Sequence, residues 1–195
     1  MQNEHLTKTI NMIRKISLVI FLLSTVTLYS QKQHSIGIGV NSEINSGNLR
    51  IGIGGVYEHQ LTKHHGFELG LNYRNKRERF YYTIPTLAMV NQLIDIREDY
   101  LSLPVLYKFY SNIVNVSTGL TFDYFVGWKN LTNLSNLEMT SYSRDPKLFI
   151  GWAFKIGKSI PLSTKFYLEP EIQFNPIFDH GYSYFGGYLK LKYKL

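Results

Sequence analysis

In the stretch VNVSTGLTFDYFVGW, Val114 to Trp128, the side chains alternate between two characters over the whole length. Val114, Val116, Leu120, Phe122, Tyr124, Val126 and Trp128 share one face with a single Thr118. Asn115, Ser117, Gly119, Thr121, Asp123, Phe125 and Gly127 share the other. A period of two puts these sets on opposite sides of a β-strand, whereas a helix would scatter both around its circumference. The run is also far longer than an ordinary strand of roughly 5–6 residues. Any fold of this chain must therefore cover a flat apolar face of that length, or dissolve it in lipid.

The pattern recurs. LFIGWAFKI sets Leu148, Ile150, Trp152, Phe154 and Ile156 against Phe149, Gly151, Ala153 and Lys155. Phe67, Leu69, Leu71 and Tyr73 oppose Glu68, Gly70, Asn72 and Arg74; Phe166, Leu168, Ile172 and Phe174 oppose Tyr167, Glu169, Glu171, Gln173 and Asn175. The last strand sets Phe185, Leu189, Leu191, Tyr193 and Leu195 against Tyr184, Tyr188, Lys190, Lys192 and Lys194. With EDYLSLPVLYKFYS and two Gly-rich segments, SIGIGV and LRIGIGG, the count is eight strands. The 15 Tyr, 12 Phe and 15 Gly against 18% charged residues favour strands and turns over helices. Connections near 60–65, 111–112 and 159–164 are short, while those near 75–97 and 129–146 are long. Short turns at one end and long loops at the other describe an all-β, eight-stranded antiparallel up-and-down barrel.

The solvent follows from which face points out. A soluble exported barrel that binds an apolar ligand inside would turn the apolar faces inward. Three features favour the inverse, a transmembrane barrel. The polar faces are rich in Gly, Ser and Ala, as a crowded interior requires. Strands match the ~9–11 residues that cross a bilayer. Aromatics (Tyr57, Tyr73, Tyr107, Phe109, Tyr124, Trp128, Phe166, Phe174, Tyr193) sit where interfacial girdles would lie.

Residues 1–30 have the form of a secretory signal peptide: Lys8, Arg14 and Lys15 precede the apolar run Ile16 to Leu28. That run is shorter than the ~20 residues of a spanning helix. Met12 offers a second start, and residues 31–195 form one barrel domain. Without residues 1–30 the chain keeps 18 basic and 13 acidic side chains, a net +5 that is no nucleic-acid footprint. The chain has no cysteine, hence no disulfide, no thiolate site and no lipoprotein anchor. The expected address is the outer membrane of a Gram-negative bacterium, as a monomer. Its expected partners are outer-membrane lipid and either lipopolysaccharide or a cell-envelope protein.

DYLSLPVLYKFYS resembles a signature strand of the PorT-like outer-membrane β-barrel domain family, through Tyr100, Leu103, Pro104, Leu106 or Tyr107, Lys108 and Tyr110. FELGLNYRNK, FYLEPEIQF and the terminal YLKLKYKL look like its other strands, so the resemblance covers nearly the whole chain after residue 30. It implies an eight-stranded barrel of usually unassigned function, one namesake of which assists a protein-secretion system. Leu195 departs from the aromatic terminus usual among such barrels. Pro104 and Pro170 pose a steric question, because a closed barrel has no edge strand to tolerate a missing N–H. A bulge, or a side chain or water, should compensate.

Chemistry motifs are absent: no P-loop, HExxH, Gly-x-Ser-x-Gly or paired cysteines. IGIGVN and IGIGGVY have period two and no following helix, so they are strand glycines. His64 and His65 fall in a turn without further ligands. Asp179, His180 and Ser183 hint at a lipid-modifying barrel enzyme, yet all three share one loop. No enzyme activity, cofactor or metal is expected. Two groups remain. Arg74, Lys76, Arg77 and Arg79 beside Phe80, Tyr81 and Tyr82 make a candidate interaction rim at the outer leaflet, with the following IPTLAMVNQLIDI packed on the rim or helical. Inside, Arg50, Lys108, Lys155, Lys190 and Lys192 face Glu68, Asp123, Glu169 and Glu171 as an ion-paired plug. A two-residue turn at Ser111–Asn112 would pair Phe109 with Val114 and Lys108 with Asn115. Neighbouring hairpins would set Lys155 opposite Glu169, Glu169 opposite Lys192 and Glu171 opposite Lys190.

Overall fold

The computed structural model describes residues 33–45, 48–84, 90–132, 142, 144, 145, 147–178 and 181–195. The expected signal peptide lies outside them, as do Asp179 and His180. Nine strands form one antiparallel sheet: β1 (Gln33–Asn45), β2 (Asn48–Gln60), β3 (His65–Ile84), β4 (Val90–Tyr110), β5 (Asn115–Asn130), β6 (Leu148–Gly157), β7 (Ile160–Pro161), β8 (Phe166–Pro176) and β9 (Ser183–Lys194). Each long strand pairs with the next, β9 pairs with β1, and β6 pairs with β8, so the sheet closes on itself. Two-residue β7 only hooks onto the start of β8. The remaining eight are the up-and-down barrel expected from the alternation.

The apolar faces point out. Ile38 is 67% exposed, Ile51 67% and Leu71 57%, and comparable residues of every long strand complete a belt around the wall. The inner face is polar and charged. Water would not tolerate such an exterior, whereas a bilayer requires it, along with a backbone whose hydrogen bonds are satisfied without free edges. Among the described residues no helix is long and apolar enough to span; the strands do. Inside the belt Trp152 Nε1 donates to Thr118 Oγ1 at 2.8 Å, which explains the lone polar residue on that face. The soluble alternative needed an apolar interior, and the charged interior removes it.

The short turns share one device. The hydroxyls of Thr62, Ser111 and Ser163 each accept hydrogen bonds from the amides two and three residues on, at 3.1–3.3 Å. This local competition with the ladder lengthens the Ser111 turn to four residues. The register therefore pairs Phe109 with Val116 and Lys108 with Ser117, two residues from the two-residue-turn expectation. The other hairpins correct likewise: Lys155 faces Gln173, Glu169 faces Lys190 and Glu171 faces Tyr188. Every shift is even, so no side chain changes face.

One odd shift does change a face. Asp99 pairs with Gly127 but Tyr100 with Phe125, leaving Val126 as an extra residue in β5. Beyond this bulge the parity reverses. Trp128, expected in the outer girdle, lies opposite buried Glu98 and packs against the cluster formed by Tyr100, Phe125, Phe149, Ile177 and Tyr184. The segment 75–97, expected as loop, is mostly strand: β3 and β4 pair to Ile84 and Val90, carrying a hairpin well past the belt. The strand from Val90 replaces the rim-packed or helical segment expected there; residues 85–89 lie outside the described ones.

Pro104 is buried on the inner face. The β4–β5 ladder runs through it, opposite Thr121, while the β3–β4 ladder lapses at Gly70 and Leu71. A Cβ on Gly70 would stand 2.7 Å from Pro104 Cγ, so the neighbouring glycine makes room for the ring. No bulge is needed there. Pro170 sits just past the last β6–β8 pair, Gly157 with Glu171, and its carbonyl still accepts from Lys158 N at 3.2 Å. Its missing N–H falls where the ladder ends.

Candidate functional site

Strand parity brings four lysines and four glutamates into the turn-side half of the barrel: Lys108, Lys155, Lys190 and Lys192 with Glu58, Glu68, Glu169 and Glu171. None is more than 6% exposed. Lys108 Nζ lies 2.7 Å from Glu58, 3.3 Å from Glu68, 2.8 Å from Glu169 and 3.7 Å from Glu171. Lys190 contacts Glu68 and Glu171, both at 2.7 Å; Lys192 reaches Glu58 at 3.1 Å and Glu169 at 2.7 Å; Lys155 reaches Glu68 at 3.0 Å. The formal charges cancel. Carboxylate oxygens of Glu58, Glu68 and Glu169 come within 4.8 Å of one another, as a metal site would need. The ammonium of Lys108 already occupies the position a cation would take.

A second network lies nearer the loops. Arg74 pairs with Glu43, with Asp123 at 3.2 Å and with Asn175 Oδ1 at 2.6 Å, and its guanidinium stacks 4.3 Å from the Tyr184 ring centroid. Glu43 also accepts from Gln173 at 2.8 Å. Above it Glu98, fully buried, accepts from Tyr100 at 2.8 Å and from Tyr142, with Arg144 at 3.4 Å. Burial pushes the Tyr142 phenol up to about 12, so it stays a donor. Tyr142 and Arg144, from the β5–β6 connection, thus close the loop end over an aromatic layer. Between the two networks a void of about 10 Å³ remains, room for no more than one water. At the turn end a mouth of about 260 Å³ opens between His34, Tyr110, Asn115 and Lys158, with Glu58 and Lys192 also lining it.

Of the interior residues expected from sequence, Glu68, Lys108, Asp123, Lys155, Glu169, Glu171, Lys190 and Lys192 lie in these networks. Arg50 faces Glu43 across β1–β2, but the Glu43 carboxylate goes to Arg74. Sequence reasoning missed Glu58 and Glu43, and assigned Arg74 to the rim although parity set it on the polar face of its strand. Glu58 shares the parity of Arg50 on β2, a signal that was there once the strand is followed past its glycines.

The expected rim divides in two, because its residues alternate on β3. Arg74 and Lys76, each 4% exposed, point into the barrel and do not belong to the rim. Lys76 pairs with Glu78 and sits 3.7 Å from the Tyr182 ring centroid. Phe80 stacks on Tyr142. Arg77 and Arg79 point out, both bound to Asp95 across the hairpin. Tyr81 is 75% exposed opposite Leu93, itself 46% exposed. The side chain of Tyr82 lies outside the described residues, as do Asp179 and His180 of the candidate lipid-modifying group; Ser183 opens β9.

No family model matches the chain, and no curated protein matches it. Among solved structures it is similar to the outer membrane protein OprG from Pseudomonas aeruginosa, 12% identical, with a TM-score of 0.55 over 85% of this chain and 97% of that one. Neisserial surface protein A (12% identical, TM-score 0.48, 85% and 98% covered) and Ail, the attachment invasion locus protein of Yersinia pestis (15%, 0.47, 84% and 97%), are further neighbours. The fold shared with OprG, together with the closed wall and apolar belt, is that of an outer-membrane β-barrel, and the outer membrane is where this protein resides.

Proposed function

We propose that this chain is a non-catalytic outer-membrane barrel of the PorT-like kind in a Gram-negative cell, serving as a surface-interaction or secretion-accessory protein through its β3–β4 hairpin. The observation that carries this is the filled interior: eight mutually neutralised charges plug the barrel, the void between the two networks is about 10 Å³, and the mouth of about 260 Å³ at the turn end is lined by Glu58 and Lys192 of that plug. An eight-stranded wall has little more room to give. What remains available is the hairpin, whose outward face carries the exposed pair Tyr81 and Leu93. The resemblance of DYLSLPVLYKFYS to the family's signature strand supports the finer assignment. The test is a photo-crosslinking residue in place of Tyr81 in living cells. A discrete adduct with lipopolysaccharide or an envelope protein, lost in Leu93→Asp, supports the reading; adducts absent, or unchanged by Leu93→Asp, overturn it.

A further inference from the structure

We propose that His34 and His59, with Tyr57 beside them, form a binding site for one divalent transition-metal ion of the zinc class on the outer wall at the turn end. The β1–β2 register sets His34 directly opposite His59, on strand positions that share the outward parity of Ile36 and Tyr57. Their Nδ1 atoms approach to 3.1 Å and the rings stack with centroids 4.4 Å apart. The Tyr57 hydroxyl lies 2.7 Å from the same His34 Nδ1.

An imidazole nitrogen carries either one hydrogen or one lone pair. His34 Nδ1 therefore cannot satisfy both neighbours, whichever tautomer it adopts. A cation shared by the three atoms can, because each nitrogen then directs its lone pair at the ion and the phenol oxygen adds a third donor. Two imidazoles each about 2.0–2.1 Å from a tetrahedral ion stand roughly 3.3 Å apart, close to the 3.1 Å observed. Imidazole donors select zinc, copper or nickel over magnesium or calcium.

The other two described histidines differ. His64 Nδ1 meets the Tyr110 carbonyl at 3.0 Å and His65 Nδ1 meets the Tyr107 hydroxyl, one polar partner each. Phe67 and Leu69 wall the cleft that His34, Tyr57 and His59 line.

The experiment uses the full exported chain, refolded in detergent without a polyhistidine tag. Zinc sulfate is titrated calorimetrically, and copper(II) is followed by electron paramagnetic resonance. The wild type should bind one zinc ion, and copper should show hyperfine coupling to two imidazole nitrogens. His34→Ala and His59→Ala should each weaken zinc by on the order of tenfold or more, since even outer-shell partners of a metal site carry that much. The double variant His64→Ala/His65→Ala should bind as the wild type. Retained heat-modifiable migration shows that each variant is folded. Absence of saturable one-to-one binding by the wild type, or loss of binding only in the His64/His65 variant, would overturn the proposal. Copper coupling to two imidazole nitrogens that persists in the His64→Ala/His65→Ala variant supports the proposal even if His34→Ala or His59→Ala fails to fold, and coupling lost in that variant overturns it.

Discussion

Lys108 has four carboxylates within 3.7 Å and no exposed surface. Its charge is tolerable only because the desolvation cost is repaid by those neighbours, and they in turn depend on it. Removing one partner leaves a buried charge uncompensated. We expect Glu169→Ala and Glu171→Ala to destabilise the barrel by a few kcal/mol, and Lys108→Ala by roughly 3–5 kcal/mol. Urea titration of folding into lipid vesicles would show this, and wild-type midpoints would contradict it. Lipid-facing Thr118 has a smaller role: Thr118→Val strips the Trp152 indole of its acceptor where no water replaces it, at about 1 kcal/mol. The same titration checks it, and Thr118→Ser should restore the loss. At this scale the sequence was largely legible, because parity alone sorts inward from outward. Arg74 and Lys76 were misplaced for another reason. Parity already sets Arg74 on the polar face of its strand, but the neighbourhood RNKRERFYY has the composition of a solvated loop, and nothing local shows that the strand runs on through it.

At the level of strands and turns, two devices set the geometry. Gly70 and Pro104 fit each other across β3–β4, so Gly70→Ala should destabilise by roughly 1–3 kcal/mol through overpacking. Pro104→Ala should relieve much of that loss, giving a double-mutant cycle far from additive; additive losses would show that the two do not touch. The hydroxyl-closed turns at Thr62, Ser111 and Ser163 explain why a two-residue turn was the wrong reading of Ser111–Asn112. The side chain offers its own hydrogen bonds, and turn chemistry of this kind is written in single residues that alternation does not weigh. The Val126 bulge is illegible for a similar reason, since a one-residue insertion leaves the apolar pattern intact while reversing its meaning.

Beyond the belt, hydrogen bonds from Arg77 hold the Asp95 carboxyl below its ordinary range. A depressed carboxylate contributes stability in full above its unfolded value near ~4, and loses it as pH falls through the folded value. Protease resistance of the β3–β4 hairpin should thus be flat from neutral pH to about 5 and fall below about 4. Asp95→Asn should lose it at every pH. A hairpin equally resistant in that variant would show that the Asp95 pairs do not hold it.

For the molecule as a whole, the eight strands, their up-and-down order and the inverted solvation were legible because each is a statement about period two repeated around a wall. The sealed interior is the emergent property. It requires registers that bring eight charges within reach of one another, and even-numbered slips preserve faces but change partners, as with Lys155 and Gln173. The closure also uses Tyr142 and Arg144 from a connection with no periodicity to read. Single-protein insertions into planar bilayers, at neutral pH and high salt, should give no discrete conductance steps beyond background. Large, long-lived steps from protein that migrates as the folded, heat-modifiable form would contradict it.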